Sequence, residues 1–140
     1  MVQIISGRKG KGKTKYLLEK VNAAVGSVEG SVVYLDKSAK HMYELNNKVR
    51  LINVSEYPSI TSYEGFVGFI CGIISQDHDL EQMYLDSFLK LSSLEGCDIT
   101  EAVETLEMIS AKYKVDFTLS ISQDAEELTE SVRKHIVISL

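Results

Sequence analysis

Short apolar runs alternate with helix-length segments along this whole sequence, and that alternation limits the possible folds more than any other feature. Val2-Gln3-Ile4-Ile5-Ser6, Ser31-Val32-Val33-Tyr34-Leu35 and Val49-Arg50-Leu51-Ile52-Asn53-Val54 read as strands. So do Met83-Tyr84-Leu85, Phe117-Thr118-Leu119-Ser120-Ile121 and His135-Ile136-Val137-Ile138-Ser139-Leu140. Between the first two, Leu17, Leu18, Val21, Ala24 and Val25 share one face of an amphipathic helix that runs from Thr14 to about Val25 and ends at Gly26. A short helix or turn is expected over residues 39–46, and a further helical stretch over 87–94. Residues 62–75 form a helix that is apolar nearly all round, so it is expected to be buried in the core or to cover a partner, burial being favoured. Gly65, Gly68 and Gly72 mark a small-residue strip expected to let that helix lie close to the sheet. Asp98-Ile99-Thr100-Glu101 resembles a capping box and opens a helix with Ala102, Leu106, Ile109 and Tyr113 on one face. A last helix over 124–134 starts at Asp124, with Glu127 three residues on. This order predicts an α/β fold with three αβα layers: a mostly parallel sheet of about five to six strands, with helices on both faces.

At 140 residues the chain has length for one domain and one core. Its net charge of −5 argues against a dedicated nucleic-acid binder. Cys71 and Cys97 are isolated thiols; Cys71 sits in an apolar run and is expected to be a small buried hydrophobe. With no disulfide framework, no signal-peptide pattern and no membrane-length apolar run, the expected setting is cytoplasmic. His41, His78 and His135 share no metal-ligand spacing and read as ordinary surface or strand histidines.

Gly7-Arg8-Lys9-Gly10-Lys11-Gly12-Lys13-Thr14 fits G-x-x-x-x-G-K-[ST], the phosphate-binding loop, and stands between a strand and a helix as that motif requires. Backbone N–H groups of such a loop converge on phosphate oxygens, and the helix N-terminus adds partial positive charge. Gly7 and Gly12 permit backbone angles that a Cβ forbids. Lys13 is expected to reach the β- and γ-phosphates, and the Thr14 hydroxyl to hold Mg²⁺. Arg8, Lys9, Lys11, Lys13 and Lys15 crowd one segment of an acidic chain, as a triphosphate ligand would explain. Residues 7–15 are therefore the expected nucleotide-binding set, with ATP or another NTP and Mg²⁺ as ligands.

Ligands of open α/β sheets bind beyond the carboxyl ends of the strands, where the loop, Asp36, Asp86 and Gln123 all fall. Mg²⁺ needs an acid at the end of an apolar strand. Val32-Val33-Tyr34-Leu35-Asp36 and Met83-Tyr84-Leu85-Asp86 both qualify. The second follows an intervening strand and helix, which selects Asp86; Asp36 is expected to cap the next turn.

With Ser87 and Ile121-Ser122-Gln123 added, these segments resemble the ATPase core of the RecA-like P-loop NTPases. The resemblance implies that Asp86 is the Walker B metal acid and that Gln123 senses the γ-phosphate, acting with Lys13 in catalysis. It also implies a catalytic Glu two residues beyond the acid of the second strand, where this chain has Ser38. Glu56 and Glu64 replace it only if the fold turns them towards the loop. The layout is also similar to small bacterial proteins labelled twitching-motility-type ATPases, without the added domain and acidic and histidine boxes of full motility ATPases.

Three functions follow as expectations. The first is Mg²⁺-dependent ATP binding with weak or partner-dependent hydrolysis, in a homo-oligomer or with a protein partner. A neighbour would then supply an arginine finger; Arg50 and Arg133 are possible donors, though solvated surface charges by default. The second is a small nucleotide or metabolite kinase, disfavoured because only Lys90, Lys112 and Lys114 lie between Asp86 and Phe117 and no basic lid stands there. The third is a nucleotide-sensing module without turnover. Tyr16, Tyr34 and Tyr43 either stack on a base or belong to the core.

Overall fold

The computed structural model describes all 140 residues. Six strands, β1 (Val2–Ser6), β2 (Ser31–Asp36), β3 (Val49–Asn53), β4 (Leu80–Leu85), β5 (Asp116–Ile121) and β6 (Ile136–Ser139), form one sheet in the order β3-β2-β4-β5-β1-β6. Every pairing is parallel. The helices are α1 (Lys13–Val25), α2 (Tyr63–Gln76), α3 (Phe88–Leu91), α4 (Thr100–Tyr113) and α5 (Glu130–Arg133). The expected α/β architecture is present, with all strands parallel.

Successive side chains of a strand point to opposite faces of the sheet, and that parity organises the molecule. Ile5, Val32, Tyr34 and Tyr84 pack with Leu17, Leu18 and Val21 of α1. Ile4, Val33, Leu35, Met83, Leu85, Phe117, Leu119 and Ile121 face the other way, into the larger core built with α2, α3 and α4. Burying each such side chain contributes about 1.5–3 kcal/mol. Continuing the count, Asp36, Asp86 and Ser120 project on the α1 side, just where strand and helix hand over to loops.

Strand β5 lies between β1 and β4, and β4 between β5 and β2. Leu35 is paired with Leu85, so β2 and β4 end side by side, and Asp86 N donates to Leu35 O at 2.9 Å. Gly7 N donates to Gln123 O at 3.0 Å, tying the start of the loop to the end of β5.

Helix positions differ from expectation in four places. Phe66, Ile70 and Ile74 are the buried face of α2, whereas Gly65, Gly68 and Gly72 are exposed. Gly68 and Gly72 line an open groove between α2 and the β2–β3 edge instead of packing on the sheet, because the large side chains take the core; Cys71 is half-buried beside them. The segment after β5 is a 3-10 turn over Ala125–Glu127 followed by the short α5. Its Asp124–Glu127 capping box is present, but Leu128 turns into the core in extended conformation and Thr129 begins a new helix. Asp98 Oδ1 accepts from Thr100 N at 2.9 Å and from the Thr100 hydroxyl, a local turn in place of a capping box. Tyr113 lies half exposed while Val103 and Ser110 join Ala102 and Leu106 on the buried face of α4. No helix is long and apolar enough to cross a membrane.

Candidate functional site

The carboxyl ends of β1, β2, β4 and β5 open into a cleft of about 730 Å³ on the α1 side. Leu89 is its one hydrophobic residue, so the cleft is polar and charged almost throughout. Its floor is the start of α1 and the strand-end carboxylates.

Gly12 caps α1 at φ +91°, in the left-handed region where a Cβ is strained. The backbone N–H groups of Gly12, Lys13, Thr14 and Lys15 have no partner in the chain. No acidic residue stands in the first turn and no side chain caps it. A helix start of this kind carries uncompensated positive charge and free donors. Gly7 is required differently: a Cβ there would stand 2.9 Å from Leu140 Cβ.

Lys13 is 8 % exposed, and its Nζ donates to Arg8 O at 3.1 Å. Burial lowers its pKa, partly offset by the charge of Asp86. The lysine is thus folded back over its own loop with a single carbonyl as partner.

Asp86 is the hub of the floor. Thr14 donates to its Oδ2 at 3.0 Å and approaches Oδ1 at 3.3 Å. The Tyr34 hydroxyl donates to Oδ2 at 2.9 Å and Ser120 to Oδ1 at 2.7 Å. Ser120 Oγ in turn accepts from Ser87 N at 2.8 Å, which holds the Asp86–Ser87 turn with Ser87 in the left-handed region at φ +59°. Burial and Asp86 together push the Tyr34 hydroxyl pKa well above its ordinary range, so it stays a donor. Tyr34 is therefore a core residue that orients Asp86. Tyr16 and Tyr43 are exposed and do not line the cleft.

Asp36 stands beside Asp86 at the end of the neighbouring strand and is 2 % exposed. Its Oδ1 accepts from Lys37 N at 2.7 Å, the expected cap of the next turn. Its Oδ2 is buried and makes no hydrogen bond. Burial first, then the charge of Asp86, raises its pKa above the ordinary carboxylate range.

Lysines face the loop from the opposite wall. Lys37, Lys40 and Lys90 line the cleft together with Lys9 and Lys13. The Lys37 pKa is lowered, chiefly by desolvation and then by Lys90, Lys9 and Lys40. These three wall lysines come from the turn after β2 and from α3, and sequence spacing alone gave no sign that they meet.

The remaining expected residues are distributed as follows. Gln123 lines the cleft and is half-buried. Arg8 does not line it and is paired with Asp124 at 2.7 Å and with Glu127, on the rim, at 3.4 Å. Lys11 is exposed, and Lys15 lies in a separate shallow groove with Glu19, Asn22 and Glu44. Ser38 accepts from Lys40 N and does not line the cleft. Neither Glu56 nor Glu64 lines the cleft: Glu56 lines a separate groove with Met42 and Leu45, and Glu64 is exposed on α2. Arg50 lines a groove between α2 and the β2–β3 edge, away from the cleft, and Arg133 is exposed at the end of α5.

The donor set suits a shared Mg²⁺ ion better than a protein-only one. Thr14 and Asp86 offer one hydroxyl and one carboxylate, and no group of three or more His, Cys, Asp or Glu is placed to hold a metal. Mg²⁺ is commonly held by one or two carboxylates plus substrate phosphates and water.

No protein-family model matches the chain, and no curated protein matches it significantly.

Proposed function

We propose that the cleft binds a nucleoside triphosphate, ATP or another, with Mg²⁺, in the manner of the RecA-like P-loop proteins that the sequence resembles. The observation that carries this reading is the start of α1: four unpartnered N–H groups, a buried lysine and no acid, opening into a cleft with four more lysines. An anion with several oxygens is the ligand class that answers all of these at once. The N–H groups of residues 12–15 take phosphate oxygens, and the Lys13 ammonium leaves Arg8 O to bridge the outer phosphates. Thr14 and Asp86 hold Mg²⁺, whose contribution when bound is to neutralise charge on the β- and γ-phosphates. Gln123 lines the same cleft, and in this reading it senses the γ-phosphate.

Lys37, Lys40 and Lys90 support a second reading, transfer of the phosphoryl group to an acceptor that is itself anionic. Release of free phosphate separates it from the first, since steady phosphorylation of an added nucleoside or sugar phosphate would take its place.

Thermal unfolding with a panel of nucleotides tests the reading. A ligand at one hundred times its Kd stabilises by about 2.7 kcal/mol, a shift of several degrees at this chain length. The expected result is a rise in Tm with Mg²⁺ and an NTP, a smaller rise without Mg²⁺, and none with nucleoside alone.

A further inference from the structure

Two cations stand opposite the phosphate loop without a counter-charge, and the backbone beneath them fixes where both arise. Strands β2 and β4 end side by side, with Leu35 against Leu85 and Asp86 N donating to Leu35 O at 2.9 Å. Lys37 directly follows β2, and its N–H is held by Asp36 Oδ1 at 2.7 Å. Lys90 belongs to α3, where its N–H donates to Ser87 O at 3.0 Å. Phe88, Leu89 and Leu91 are buried, so α3 is pinned to the core and Lys90 is its one exposed residue. Both lysines line the cleft, together with Lys40 and with Lys9 of the loop. Burial first, then Lys90, Lys9 and Lys40, lowers the Lys37 pKa, as expected of ammonium groups crowded at one mouth.

The acids of the same cleft do not answer these charges. None of the four lysines forms an ion pair. Asp86 already accepts from three hydroxyls, Glu127 is taken by Arg8, and Asp36 bonds the Lys37 backbone and not an ammonium. Like charges gathered in this way repel, and an anion entering between them removes that cost. Its place is indicated by the loop lysines. Lys9 and Lys13 line the cleft, whereas Lys11 and Lys15 do not. The wall cations therefore gather across from Lys13, which is expected to bridge the outer phosphates.

From this arrangement we infer that Lys37 and Lys90 are specificity-determining residues that close on the terminal phosphate from the side opposite Lys13 and favour a nucleoside triphosphate over the diphosphate. Their role rests on the nucleotide reading above. A lysine ammonium is a point charge with three rotatable donors, suited to a phosphate whose oxygens turn about its one bridging bond. The diphosphate lacks that group and its charge, so it cannot draw on the pair in the same way. Both lysines belong to the same chain as the loop, so this selection needs no neighbouring subunit.

The test measures Mg²⁺-ATP and Mg²⁺-ADP affinity side by side at fixed ionic strength, for wild type, Lys37→Gln/Lys90→Gln and Arg50→Gln/Arg133→Gln. All four side chains are exposed, so both double variants are expected to fold, and their melting curves check this. In the lysine variant the ratio of ATP to ADP affinity should fall by about tenfold or more, with ADP affinity within about twofold of wild type. The arginine variant removes the same charge away from the cleft and should leave the ratio unchanged. Equal losses of ATP and ADP affinity in the lysine variant would make the lysines a general attraction and overturn the inference. Unchanged ATP affinity there would overturn it too, leaving the pair to a second anionic ligand. So would a fall in the ratio as large in the arginine variant. In each of these cases wild type still binds ATP and the nucleotide reading stands. Absence of ATP binding by wild type would defeat that reading and the inference together.

Discussion

Asp36 has two oxygens in different situations, one bonded to a turn and one buried without a partner, and that asymmetry has a stability consequence. Its folded-state pKa is raised by burial and by Asp86. The fold therefore binds this proton more tightly than the unfolded chain does. The sign follows from linkage: the favourable contribution is present below the ordinary carboxylate pKa and is lost as pH rises through the raised value. Asp36→Asn removes the ionisation, so it should melt higher than wild type at pH 7, and the gap should close as pH falls to the ordinary carboxylate range. Melting curves across that range check the direction; a variant less stable at pH 7 would contradict it. At the same scale, the sequence carried the loop, Lys13, Thr14 and Asp86 plainly, since each belongs to a short pattern. It did not carry Oδ2 of Asp36. Which acid keeps a free oxygen depends on the hydroxyls of Tyr34 and Ser120, which the fold commits to Asp86. The wall lysines were equally illegible, because Lys37 and Lys90 meet only when β2 and β4 end together.

Strands were readable because their apolar runs are compact and interrupted by clear turns. The central positions of all six agree with the sequence reading, while β4 begins earlier, at Leu80, because Glu81 and Gln82 do not look like strand residues in isolation. Helix orientation was harder. In α2 the residues are apolar enough that periodicity gives no phase, and the glycine strip borders an open groove at the β2–β3 edge where close packing is expected. Its exposure makes a direct prediction. A Cβ at Gly68 or Gly72 would meet nothing within 4 Å. Glycine inside a helix costs about 0.5–1 kcal/mol relative to alanine. Gly68→Ala and Gly72→Ala should each stabilise by about that amount in chemical denaturation, without altering the cleft. A loss of stability in either would mean that α2 packs closely on something through this face. The break at Leu128 and Thr129 is hidden in the sequence for a different reason: Asp124 and Glu127 are a genuine start signal, but the buried Leu128 pulls the chain out of helical conformation one turn later.

In the whole molecule, a parallel sheet carries a charged cleft at its carboxyl edge. The insertion of β5 between β1 and β4 brings Ser120 onto Asp86 and sets Gln123 against Gly7, so the loop, the acid and the rim form one unit. Five lysines and four carboxylates line that unit in a chain whose net charge is −5, so the lysines offset the acids only locally. The central claim is that this place is a triphosphate site whose principal cation is Lys13. Isothermal calorimetry of Mg²⁺-ATP and Mg²⁺-GTP binding to wild type and to Lys13→Ala tests it most directly. The expected result is saturable binding of at least one nucleotide by wild type and a loss of affinity of about tenfold or more in the variant, as for a charge-assisted contact of about 1.5–3 kcal/mol. Equal affinity in the two proteins, or no heat of binding with wild type, would contradict it.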